Sequence, residues 1–351
     1  MNPPGIQNLT SAELNKLRAN PRFRELVSAV EHGGAVKESD DAVKALAMKE
    51  LITGAQMANK SYKQEHFLIG PKVLPVGGRM LITAEAGTGK SALALHSAAC
   101  IITGKPLFGL LRAKKDVDYG KPYFPVIKPC DVFYLDFELP EHIRWNERLY
   151  PLTREFGTDF LEHIYFPKKP SELRLDPGQG FDNLRKLVRA MKPGVTVIDP
   201  LSSTHSADEN TNSLKQPLNR IDQLIEDSGT TVILIHHSSA KKTRTAFGDV
   251  VEKTAKERPR GHTCLIDWAD VQLHLEALNA KDRHRYNDDE ETETAKLLGL
   301  EFGKTRYCQT PRGRKIEADI EEMYFGRPRT PSPSENHEKQ RGYRTPGISM
   351  T

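Results

Sequence analysis

Residues Ala84-Glu85-Ala86-Gly87-Thr88-Gly89-Lys90-Ser91 constrain this chain more tightly than any other segment. They follow the apolar run Met80–Thr83 and lead into an apolar helical stretch, Ala92 to Ile102. A strand that turns through a glycine-rich loop into a helix beginning Lys-Ser has the spacing of a phosphate-cradling loop, here with Ala84 at the first glycine position. The chemistry explains the residue types. Gly87 and Gly89 let backbone N–H groups curl around phosphate oxygens. The helix N-terminus adds the positive end of its dipole. Lys90 is expected to reach the β- and γ-phosphates and Ser91 to ligate magnesium. Nucleotide contacts are therefore expected from Glu85, Ala86, Gly87, Thr88, Gly89, Lys90 and Ser91, with ATP and Mg2+ as cofactors.

The pattern around the loop sets the fold class. Strand-like apolar runs occur at Met80–Thr83, Val132–Phe137, His163–Phe166, Val195–Ile198 and Thr231–Ile235, with helical stretches between most of them. That alternation predicts an α/β fold, a mainly parallel sheet covered by helices on both faces. After Ala269 the runs Val271–Leu275, Leu297–Phe302 and Lys315–Ile320 follow one another with turns between, which predicts an antiparallel extension at one edge. Residues 1–60 read as a small helical extension. Thr10 and Glu13 have capping-box spacing, Phe23, Leu26, Val27 and Val30 form one stripe, and a further helix is expected over about 41–59. Residues 326–351 are rich in Pro, Ser, Arg and Gly and poor in large apolar groups, so a disordered basic tail is expected there. The expected organisation is thus 1–60, 61–325 and 326–351.

A second magnesium-site carboxylate should end an apolar strand, as Asp199 does after Val195-Thr196-Val197-Ile198. Pro200 follows it, so a water-activating carboxylate must come from another strand. Glu138 and Asp136, after Val132–Leu135, both qualify by side-chain parity. Glu138 is preferred as the group that orients and deprotonates the attacking water, with Asp136 in a supporting role. The next strand runs into His236-His237, where a polar side chain could sense the γ-phosphate; no Cys or carboxylate cluster lies near them in sequence to complete a metal site.

The motif order Ala84–Ser91, Glu138, Val-Ile-Asp-Pro-Leu-Ser at 197–202, His-His, Arg260-Gly261 and Lys304-Thr305-Arg306 resembles the RecA/DnaB/KaiC-type ATPases, closest to the branch containing the plasmid RepA hexameric helicases. The segment Phe67-Leu68-Ile69-Gly70 through Val76-Gly77-Gly78 is similar to that branch as well. The resemblance covers about 66–325 and implies a RecA-like P-loop NTPase core. It implies that Glu138 is the catalytic glutamate, Asp199 the Walker B aspartate and His237 the sensor. It further implies that Arg260 lies near the neighbouring nucleotide and that Lys304 and Arg306 reach into the adjacent subunit's site. Two departures stand out: Leu110 to Lys128 lengthens the link before the Glu138 strand, and His262 replaces the small residue usual after Arg-Gly. An arginine supplied in trans can raise a phosphoryl-transfer rate by about 10³–10⁵.

His237 is followed by a long polar stretch carrying Lys241, Lys242, Arg244, Lys253, Lys256, Arg258 and Arg260 against Asp249, Glu252 and Glu257. In a ring, copies of such a loop would line the channel and track a single-strand backbone. Net charge is only +4, so partners are argued from this local excess. Four scattered cysteines without a CxxC pair suit a reducing compartment, and no run approaches the ~18 apolar residues of a membrane span. A cytoplasmic protein is expected. The leading reading is an ATP-hydrolysing hexameric motor on single-stranded DNA, a replicative helicase of plasmid or phage type. A recombinase or recombination mediator, and a KaiC-like regulatory ATPase without DNA, are the alternatives.

Overall fold

The structure is a computed structural model, and it describes residues 51–58, 66–107, 124–238, 242–244, 250–252, 263–277, 296–308, 314–319 and 323–326. The chain divides into two units between Lys63 and Gln64. Of the first, the described part contains one short helix, α1 (Gly54–Ala58). Thr53 and Gln56 cap it reciprocally: Gln56 N–H donates to Thr53 Oγ1 at 3.1 Å and Thr53 N–H to Gln56 Oε1 at 2.8 Å. The helix expected over 41–59 is therefore not continuous, because this cap starts a new one at Gly54. The other helical expectations for residues 1–50, and the tail 327–351, lie outside the described residues.

The second unit opens with a hairpin, β1 (Phe67–Ile69) against β2 (Leu74–Pro75). Next come β3 (Arg79–Ala84), α2 (Lys90–Thr103) and β4 (Val132–Asp136). A helical run follows, made of α3 (Glu141–Arg144), a π-helical turn (Trp145–Leu149) and α4 (Tyr150–Phe156). Then come β5 (Ile164–Tyr165), α5 (Gln179–Met191), β6 (Val195–Asp199), α6 (Lys215–Ser228) and β7 (Thr231–His237). The described remainder is β8 (Lys242–Arg244), β9 (Val250–Glu252), α7 (Cys264–Trp268), β10 (Val271–Ala277), β11 (Lys296–Thr305), β12 (Arg314–Asp319) and β13 (Tyr324–Gly326). The main sheet has the order β13-β12-β11-β10-β3-β7-β6-β4-β5, and the segment from β10 to β5 is parallel throughout.

Strands buried on both faces read as unbroken apolar runs, and these do. Ile82, Tyr134, Val197, Ile233 and Leu273 face α2, whose Leu93, Ala94 and Ile101 fill that side. Leu81, Phe133, Ile198 and Leu234 face α5 and α6, which bury Leu184, Val188, Leu218 and Ile221. One expectation needs correction. Val271–Ala277 is not part of the antiparallel extension: α7 crosses over the sheet before it, so β10 runs parallel beside β3, and the antiparallel edge starts at β11. The lengthened link before β4 leaves and returns at one place, because Leu107 and Phe124 bridge to each other.

Candidate active site

All six parallel strands end their carboxyl termini at one edge of the sheet, where ligands gather in folds of this kind. Ala84 and His237 are register partners there, and Ser238 N–H donates to Ala84 O at 2.9 Å. The glycine loop leaves β3 at this point. Gly87 (φ 73°) and Gly89 (φ 103°) hold left-handed conformations that a side chain would strain, and Gly89 delivers the chain into α2. Glu85, Ala86 and Gly87 are exposed, whereas Thr88 is buried. Lys90 is buried too, and its ammonium has no hydrogen-bond or ion-pair partner among the described residues. A buried cation without an acceptor is costly, so this arrangement fits an anionic ligand supplied from outside.

One turn into α2, Ser91 Oγ donates to Asp199 Oδ1 at 3.1 Å. The other carboxylate oxygen accepts the Tyr134 hydroxyl at 2.7 Å. Burial pushes the Asp199 carboxyl up to about 6; the bonds from Tyr134 and Ser91 pull the other way, and the charges of Asp136 and Glu138 add to the rise. A hydroxyl and a carboxylate held together beside the loop are the oxygen donors that a magnesium ion needs. When bound, that ion would neutralise phosphate charge, with Ser91 and Asp199 holding it.

Asp136 and Asp199 are register partners across β4 and β6. Asp136 is fully engaged within the fold. Its Oδ1 accepts the N–H groups of Glu138 (2.9 Å) and Leu139 (3.0 Å), and its Oδ2 accepts Arg144 Nε at 2.8 Å. Arg144 also donates to Leu139 O at 2.8 Å and lies over the Phe166 ring at 4.7 Å. The turn after β4 is thereby fixed, and Glu138 stands exposed at its crest, two residues past the strand. His237 ends β7 half-buried. His236 beside it is fully buried and faces Glu209, on the loop after β6, at 3.8 Å. His205 on the same loop is buried, and that burial lowers its ring pKa. No group of three or more His, Cys, Asp or Glu that could hold a metal occurs among the described residues.

Lys304 and Arg306 lie far from this edge. Thr305 pairs with Val271, and Val271 with Met80, so they sit level with the start of β3. At 3.3 Å per residue, Ala84 is ~13 Å further along the strand, with the loop beyond it. Lys304 Nζ donates to Ile266 O and Asp267 O, both at 3.0 Å, and Arg306 pairs with Asp270 at 3.2 Å. Arg260, Lys241, Lys253, Lys256 and Arg258 lie outside the described residues. Lys242 and Arg244 fall on β8, of which only the backbone course is described.

Sequence reasoning missed Tyr134, Arg144 and Asp270. Tyr134 could have been found, because it shares strand parity with Asp136 and is the one polar tip on that face of the apolar run. Arg144 and Asp270 act through contacts that spacing does not announce.

Fold and loop together define a P-loop ATPase with a RecA-like core. More narrowly, the chain belongs to the AAA domain family, whose model matches residues 47–243, more than half of its length. That match ends before Arg260, Lys304 and Arg306. Among solved structures, one described as the ATPase domain of a larger protein aligns over 84% of this chain and 99% of its own, with TM-score 0.46 and 16% sequence identity. No helix among the described residues is long and apolar enough to cross a membrane.

Proposed function

We propose that this chain is an oligomeric, ATP-driven motor on single-stranded DNA, a replicative helicase of plasmid or phage type, with each active site completed by the next subunit in a hexameric ring. The observation that carries the shared site is the distance within one chain between Lys304/Arg306 and the glycine loop. The two basic side chains occupy the opposite end of the sheet, so they serve a neighbour's nucleotide or none. In this reading Lys90 holds the β- and γ-phosphates, and Ser91 and Asp199 hold magnesium. Glu138 accepts a proton from the attacking water. Arg306 of the next subunit, with Arg260, stabilises charge on the transferred phosphoryl group.

His237 links the nucleotide to DNA. It borders the start of the glycine loop and opens the basic stretch that holds Lys241, Lys242, Arg244, Lys253, Lys256 and Arg258. A shift at the γ-phosphate would move the stretch that grips the strand.

ATP hydrolysis measured with and without single-stranded DNA across a salt series tests the DNA reading. Stimulation that fades steeply as salt rises is expected. Hydrolysis indifferent to DNA at low salt would contradict it and favour a regulatory ATPase with protein partners. The resemblance to the RepA branch makes strand separation on a forked duplex the expected further activity, which a recombinase would lack.

A further inference from the structure

We propose that Asp270 is the positioning residue for Arg306. Through it, the strand that feeds one subunit's phosphate loop is tied to the active site of the next. The inference rests on the shared-site reading above. Asp270 lies between α7 and β10 and is only 5% exposed. It holds Arg306 twice: its carbonyl accepts the Arg306 N–H at 3.0 Å, and its Oδ1 pairs with Arg306 Nη1 at 3.2 Å. Arg306 Nη2 donates to Asp267 O at 3.2 Å, and the Tyr307 hydroxyl donates to Asp270 Oδ1 at 3.5 Å. The Arg306 side chain nonetheless stays 43% exposed. A guanidinium has five N–H donors, and these two contacts leave others for an outside acceptor. An arginine fixed at its backbone and its tip, yet open to solvent, is pre-organised for an acceptor beyond its own chain.

The other carboxylate oxygen of Asp270 accepts the Arg79 N–H at 3.0 Å. Arg79 begins β3, and its side chain is anchored by Asp222 at 2.9 Å and lies over the Trp268 ring at 5.7 Å. Along β3 the same strand ends at Ala84 and the glycine loop. A neutral acceptor would satisfy the Arg79 N–H equally well. The negative charge of Asp270 is spent on Arg306, which is why Asp270→Asn is the informative change: it keeps an acceptor for Arg79 and removes the charge.

The experiment uses the full chain carrying Asp270→Asn, with Arg306→Ala for comparison, and measures kcat, nucleotide affinity and melting temperature. We expect Asp270→Asn to lower kcat at least about tenfold while nucleotide affinity and melting stay close to wild type. Hydrolysis should recover on mixing with Lys90→Ala subunits, which bring an intact Arg306 and Asp270, and should not recover on mixing with Arg306→Ala subunits. Wild-type kcat in Asp270→Asn, beside an inactive Arg306→Ala, overturns the positioning role and leaves the shared site standing. Failure of Lys90→Ala subunits to restore Asp270→Asn, although they restore Arg306→Ala, shows a merely structural defect and overturns it as well. A wild-type rate in Arg306→Ala removes the shared-site reading, and the proposal with it.

Discussion

At the scale of single residues, the site turns on how Asp199 is held. Its two oxygens are committed to Ser91 and Tyr134. Tyr134→Phe keeps the buried ring and deletes one hydrogen bond to a charged group, worth about 1.5–3 kcal/mol. The expected outcome is an intact fold with a magnesium requirement for hydrolysis raised about tenfold or more, read from a magnesium titration. The raised pKa of Asp199 also has a consequence for stability. Its folded value of about 6 lies above the unfolded value of about 3.9, so the fold favours the protonated form. That contribution is fully present below pH ~4 and is lost as pH rises through about 6, leaving a buried ionised carboxylate that costs roughly 3 kcal/mol at neutral pH. Asp199→Asn removes this cost and gives up one hydrogen bond of about 1 kcal/mol. Denaturant unfolding without nucleotide should therefore show the variant about 2 kcal/mol more stable than wild type at pH 7.5, with the gain gone near pH 4. Equal gains at both pH values would mean that Asp199 is not the group titrating.

At the scale of elements, the part most legible in sequence is the part buried on both sides. β3, β4, β6 and β7 show themselves as apolar runs because each faces helices above and below. The glycine loop is legible because its backbone needs particular residue types. Gly87→Ala has room for its Cβ, with nothing within 4 Å, but would hold alanine at φ 73°. A stability loss of about 1–2 kcal/mol is expected by thermal unfolding, against about 2–5 kcal/mol for Leu234→Ala in the fully buried sheet core. Strand direction was not legible for β10. Only the five-residue α7 makes the crossover that turns it parallel, and so short a helix leaves little periodicity to read. The β1–β2 hairpin, of three and two residues, is too short to alternate visibly. Tyr134 and Asp199 meet across two strands, 65 residues apart, and spacing alone cannot show such a contact.

At the scale of the whole molecule, one sheet carries two functional ends. The carboxyl edge presents Lys90, Ser91, Asp199, Glu138 and His237; the amino edge presents Lys304 and Arg306 on a support made by α7, Asp270 and the start of β3. Sequence order names both groups of residues but cannot say that they face opposite ways, because only the register of β11 on β10 and of β10 on β3 fixes that. A heterologous, head-to-tail assembly is what brings the two ends together. The most direct test mixes Arg306→Ala with Lys90→Ala subunits in equal amounts and measures ATP hydrolysis. Each variant alone should be nearly inactive. Random assembly should regenerate complete sites at about a quarter of interfaces and return a comparable fraction of wild-type activity. No recovery, although mixed assemblies form, would show that Arg306 does not act in its neighbour's site.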